Sequence, residues 1–175
     1  MDEDFIRARQ KVEIWSKGVL EQISRIKHEC LNIEKSTDNE KKWEFNVLRI
    51  NDDHFLKIAI NNAMTWLQEF NMYVEETNNI YDELSKIQEI KDLRNMAEHE
   101  IEYYKGNGHK QGEYINKETN LSASETGILE GEYLIGGRLS MSYIEEKFKE
   151  IYDIIYKNNF TISAYYFEKK FGVKL

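Results

Sequence analysis

Not one of the 175 residues is proline. Proline fixes φ and removes a backbone donor, so it gathers in loops, turns and edge strands. A chain of this length without it is suited to long unbroken helices, and the apolar pattern agrees. Val12, Trp15, Val19, Ile23, Ile26, Cys30 and Ile33 recur at spacings of three and four, the mark of one apolar helical face. The spacing predicts a first helix over about 2–35, with Arg7, Lys11, Lys17, Glu21, Arg25 and Glu29 mostly on its other faces.

Ser36-Thr37-Asp38-Asn39 interrupts that pattern, and KKWEFNVLRI after it is compatible with a short helix or a packed loop. Asn51-Asp52-Asp53 has the short polar side chains and acidic charge of a helix start. The expected stripe from there is Phe55, Ala59, Ala63, Trp66, Phe70 and Tyr73. Thr77-Asn78-Asn79 separates it from a third helix carrying Ile80, Leu84, Ile87, Ile90, Leu93, Ala97, Ile101 and Tyr104, which fades at Gly106-Asn107-Gly108. Helices joined by so short a break pack antiparallel. After Gly112 the helical period is lost. Strands near 120–126 and 133–139, with a tip at Glu130-Gly131, are expected to form a β-hairpin inserted at about 119–139. Ile128, Leu129, Leu134 and Ile135 are its candidate anchors. Ser140 then caps a last long helix with Met141, Ile144, Phe148, Ile151 and Ile155 inward, and the aromatic tail from Asn158 is compatible with a docked helical turn. The expected architecture is mainly α: one domain over 1–175, an antiparallel bundle of four to five helices with an inserted β-hairpin.

Hydrophobic residues at 41% and charged residues at 32% fit one packed soluble domain. The lone cysteine, Cys30, makes no internal disulfide. The N-terminal MDEDFIRARQ lacks a signal-peptide core, and no window approaches the roughly 18 apolar residues of a membrane span. Both point to a cytoplasmic chain without membrane contact. The net charge of −8 weighs against nonspecific binding to long nucleic acid, while leaving room for a small basic cleft, and it suits a basic partner. Stripes this rich in Trp, Phe and Ile exceed what one small bundle must cover, which predicts a homodimer.

Metal-site patterns are absent from the sequence. None of His28, His54, His99 or His109 follows a Glu by three residues, and neither His28-Glu29 nor His99-Glu100 has a second histidine four positions on. No metal or cofactor is expected. Gly106-Asn107-Gly108-His109-Lys110-Gln111-Gly112 lacks the ending of a phosphate-binding loop, and Gly136-Gly137 reads as a bulge or close backbone packing.

The remaining cluster is KDLRNMAEHEIEYY. Asn95 and His99 are four apart and share one helical face, with Arg94 one residue round. RNA cleavage through the 2′-hydroxyl needs a base, an acid and a cation for the phosphorane. Histidine serves as base or acid, arginine grips phosphate oxygens, and asparagine orients the imidazole or binds phosphate. Lys91 and Tyr103 are the candidate substrate contacts. The plainer alternative is an Arg94–Glu98 surface salt bridge beside an ordinary surface histidine.

Arg94-Asn95-Met96-Ala97-Glu98-His99 resembles the motif of the HEPN superfamily (higher eukaryotes and prokaryotes nucleotide-binding domains): an arginine, a polar residue, and a histidine after a gap of four to six. The resemblance covers roughly 1–110 and the helix from 141, and excludes the hairpin. It implies a metal-independent endoribonuclease that leaves a cyclic phosphate, acting as a homodimer whose two motif helices form a composite cleft. Many such proteins are toxins of toxin–antitoxin or antiviral systems, so an antitoxin or regulatory protein is an implied partner. Arg94 would stabilise phosphate, His99 would act as acid-base group and Asn95 would assist. Toxin members paired with a nucleotidyltransferase antitoxin carry a tyrosine two residues after the histidine. Here Ile101 stands there, with Tyr103 and Tyr104 beyond it. Other members are noncatalytic modules that bind nucleotides or proteins, and this is the alternative function.

Overall fold

The stripe through Val12, Val19, Ile23 and Ile26 becomes the buried face of α1 (Glu3–Lys35) in the computed structural model of the chain, which describes residues 3–163. The next helix, α2, runs without a break over Asn39–Phe70. Its cap is Asp38, whose carboxylate accepts from the backbone N–H groups of Glu40 and Lys41. The undecided KKWEFNVLRI segment is therefore helical, and Asn51-Asp52-Asp53 lies mid-helix instead of starting one. The two aspartates point inward. Asp53 binds Lys57 Nζ at 2.7 Å and accepts the Thr126 hydroxyl at 2.5 Å. Asp52 meets Arg25 of α1 at 3.1 Å; burial pushes its carboxyl pKa up against the pull of that guanidinium. Phe55 is 56% exposed, so the buried face passes one residue away, through Leu56, Ala59, Ile60, Ala63, Leu67 and Phe70.

The α1 and α2 helices are antiparallel, with Phe5 against Phe70 (ring centroids 5.9 Å apart) and Arg25 against Asp52. The last helix, α6 (Met141–Tyr156), lies antiparallel along α1: Arg9 donates to the Ile155 carbonyl and Lys27 to Glu145. Ser140 caps it through the Tyr143 N–H, and Met141, Ile144, Phe148, Ile151 and Ile155 are all buried, as their spacing predicts. Beyond it the described chain is not helical. Ile162 bridges Val74, and Ser163 N–H donates to the Tyr73 carbonyl at 2.7 Å; residues 164–175 lie outside the described part.

The expected third helix is three: α3 (Asn78–Ser85), α4 (Gln88–Glu98) and α5 (Glu100–Tyr104). The described residues thus hold six α-helices where four to five were expected. Ile87 adopts an extended conformation (φ −82°, ψ 95°) with its side chain partly buried on the core, which re-aims the chain before α4. The second break is His99 itself (φ −108°, ψ 25°). It rotates the following turn, so Tyr103 is buried while Ile101 and Tyr104, expected inward, are exposed.

The inserted segment is a three-stranded antiparallel sheet, β1 (Thr126–Leu129), β2 (Glu132–Ile135) and β3 (Leu139–Ser140), in that order. Glu130 and Gly131 both have positive φ (51° and 86°) and form its tight tip. The first strand starts later than expected: Asn116 holds residues 118 and 119 in a turn through its side-chain oxygen, Ile115 makes a lone bridge to Ser122, and regular pairing begins at Thr126. Ile135 is the buried anchor, while Ile128 and Leu129 near the tip are exposed. Gly136 (φ 60°) sits so close to Leu93 that a Cβ there would run into the Leu93 side chain. This contact seats the sheet on the helix that carries Arg94 and Asn95. Trp43, Val47 and Ile50 leave an exposed apolar strip along α2.

Candidate active-site cleft

The apolar period of α4 buries Ile90, Leu93 and Met96 and so turns Asn95 outward. The backbone remains continuous through the break: His99 N–H donates to the Asn95 carbonyl at 3.1 Å, and Glu102 N–H donates to the His99 carbonyl at 2.9 Å. Asn95 and His99 therefore open into the same cavity, of about 370 Å³, whose lining also includes Tyr103, His109 and Lys110. The His99 side chain is 58% exposed, and its Nδ1 lies 3.3 Å from the Glu102 carboxylate. A carboxylate only accepts, so Nδ1 carries the proton in that contact, and in the neutral ring Nε2 is then the acceptor.

Arg94 does not line the cavity. Its guanidinium pairs with Glu98 at 2.9 Å and donates to the side-chain oxygen of Asn95 at 3.1 Å. It reaches the cleft through Asn95 and shares its charge with a carboxylate. Lys91 belongs to another groove, shared with Asn61, Met64 and Gln68 of α2. Tyr103 is present in the cleft but its ring is occupied: it stacks on Tyr114 with centroids 4.8 Å apart, and Gly108 presses on it closely enough that a Cβ would collide. It forms floor, with little free face to offer a base.

The far wall comes from the loop after α5, dismissed in the sequence as a poor phosphate loop. Lys110 Nζ binds Asp92 of α4 at 2.7 Å, and this bond holds its ammonium above the ordinary lysine pKa. Gln111 donates to the Tyr103 carbonyl at 2.8 Å and accepts from Gly108 N–H. Arg138 donates to the Glu113 carbonyl at 2.7 Å. Behind it Tyr114 donates to Glu100 and contacts Ser124. Burial, opposed by the Ser124 hydrogen bond and reinforced by Glu100, pushes the Tyr114 hydroxyl up to about 12, so it stays a donor.

Sequence reasoning missed His109, Lys110, Asp92 and Glu102. The available signal was a second histidine ten residues after His99, across two short helix-breaking glycines. Among the described residues, no group of three or more His, Cys, Asp or Glu side chains is arranged to hold a metal ion, and no helix is long and apolar enough to cross a membrane. Fold and cleft define a mainly helical bundle with a small antiparallel sheet and an open polar cavity at the broken end of α4. No family model, no curated protein and no solved structure matches the chain.

Proposed function

We propose that the chain is a metal-independent endoribonuclease of the HEPN kind, acting as a homodimer in a toxin–antitoxin or antiviral system. One observation carries the reading: the Asn95 and His99 side chains open into one cavity, and Glu102 holds the His99 imidazole through Nδ1, with Nε2 the acceptor of the neutral ring. In the reaction His99 Nε2 removes the 2′-hydroxyl proton, the 2′-oxygen attacks phosphorus, and the bond to the 5′-oxygen breaks, giving a 2′,3′-cyclic phosphate and a 5′-hydroxyl whose proton comes from a second histidine. Arg94 swings from Glu98 to the phosphorane oxygens, and Asn95, already bonded to it, guides that movement. The exposed strip of Trp43, Val47 and Ile50 supports self-association.

A second reading is a noncatalytic HEPN-like dimer that binds a protein or nucleotide, and its protein-binding form is favoured by the carboxylates of Asp92 and Glu102 in the cleft wall. They repel phosphate and suit a basic partner. The two readings separate on RNA. The enzyme cuts RNA in EDTA, spares the matching DNA, which lacks the 2′-nucleophile, and loses roughly 10²-fold in rate with His99→Ala. Purified protein that cuts no RNA, or His99→Ala as fast as wild type, leaves the binding module as the better reading.

A further inference from the structure

We infer that His109 is the general acid of this cleft, so that each chain carries its own acid-base pair. The inference rests on the ribonuclease reading above and departs from the composite arrangement that the resemblance implies, in which the partner chain supplies the second histidine. His99 and His109 line the same cavity of about 370 Å³ although ten residues and a helix end separate them. That juxtaposition is built. The loop bearing His109 is fastened to α4 by Lys110–Asp92, to α5 by Gln111 on the Tyr103 carbonyl, and to the sheet by Arg138 on the Glu113 carbonyl.

The Glu102 contact of His99 divides the roles. His99 faces the Glu102 carboxylate through Nδ1, which leaves Nε2 as acceptor and makes it the base. His109, the other imidazole on the cavity lining, is left to supply the proton and enters the cycle protonated. The proton ledger closes. His99 takes the proton of the 2′-hydroxyl, the 2′-oxygen–phosphorus bond forms, the phosphorus–5′-oxygen bond breaks, and the departing oxygen takes its proton from His109. The products are a cyclic phosphate and a 5′-hydroxyl, with no oxidant, reductant or metal entering the balance. Water returns both imidazoles to their starting states.

The test compares wild type, His99→Ala and His109→Ala on two oligoribonucleotides. One has an ordinary phosphodiester; the other has sulfur in place of the bridging 5′-oxygen, a leaving group that needs no proton. His109→Ala is expected to lose roughly 10²-fold on the ordinary bond and to return to the wild-type order of magnitude on the sulfur substrate. His99→Ala, lacking the base, is expected to stay slow on both. Circular dichroism checks that both variants keep the fold. Equal defects of His109→Ala on the two substrates, or no defect on either, overturn the assignment while leaving the ribonuclease reading standing. A wild-type chain that cuts neither substrate overturns that reading and the assignment with it.

Discussion

Asp53 and Lys57 stand four residues apart on α2, as Asn95 and His99 do at the end of α4. The first pair is sealed: both side chains are at most 2% exposed, they bind each other at 2.7 Å, and Thr126 takes the other carboxylate oxygen. The second pair opens on water, and one nitrogen of His99 has no assigned partner in its role. The same helical spacing brings side chains together in both places. What decides between a fastening and a site is whether hydrogen-bonding capacity remains once the neighbours have been satisfied.

The largest expected effect lies in the sealed pair. Lys57→Met keeps the stem but strands Asp53 as a buried charge, and is expected to lower stability by about 3–5 kcal/mol in urea unfolding. Adding Asp53→Asn removes the charge, keeps an acceptor for Thr126, and is expected to recover most of that loss. A single variant as stable as wild type would break the comparison. By contrast His99→Ala is expected to shift stability by less than ~0.5 kcal/mol, as for exposed positions generally, while affecting cleavage heavily.

An intermediate effect is expected where the sheet meets α4. Gly136→Ala must take up a positive φ and push into Leu93, at a cost of about 1–3 kcal/mol. Because Leu93 precedes Arg94, the same variant is expected to slow cleavage beyond what its lost stability explains. Unchanged cleavage would show that the sheet leaves the cleft alone. The smallest effect belongs to Glu98→Ala, which frees Arg94 from an exposed pair worth about 0.3–0.5 kcal/mol. Stability is expected to be nearly unchanged and cleavage to be equal to wild type or slightly faster.

Much of the bundle was legible because its signals are local and repeated. The inward faces of α1 and α6 follow spacings of three and four over several turns, and Glu130-Gly131 marks a tip that needs two positive φ values. Asn51-Asp52-Asp53 misled for the converse reason. Short acidic residues cap a helix or pair inside one; Lys57 lies one turn on, but Arg25 and Thr126, which complete the pairing, are distant in the chain. Half of the cleft was legible, since Asn95 and His99 lie one turn apart. The other half was not: His109 arrives through the Lys110–Asp92 and Gln111–Tyr103 contacts, which no helical period encodes.

The antiparallel seat of α6 along α1 has a consequence for the chain during its synthesis. Helices α1 and α2 are complete once Phe70 has emerged, whereas α6 begins only at Met141. At ~5–20 residues per second, translating the stretch between them takes roughly 4–14 s. Throughout that interval a finished helical hairpin stands on the ribosome with the side of α1 that α6 will cover still bare. Arg9 and Lys27 wait there without Ile155 and Glu145, and a ribosome that stalls in the sheet releases a product with an open greasy seam, a substrate for chaperones and proteases before it is a folded protein.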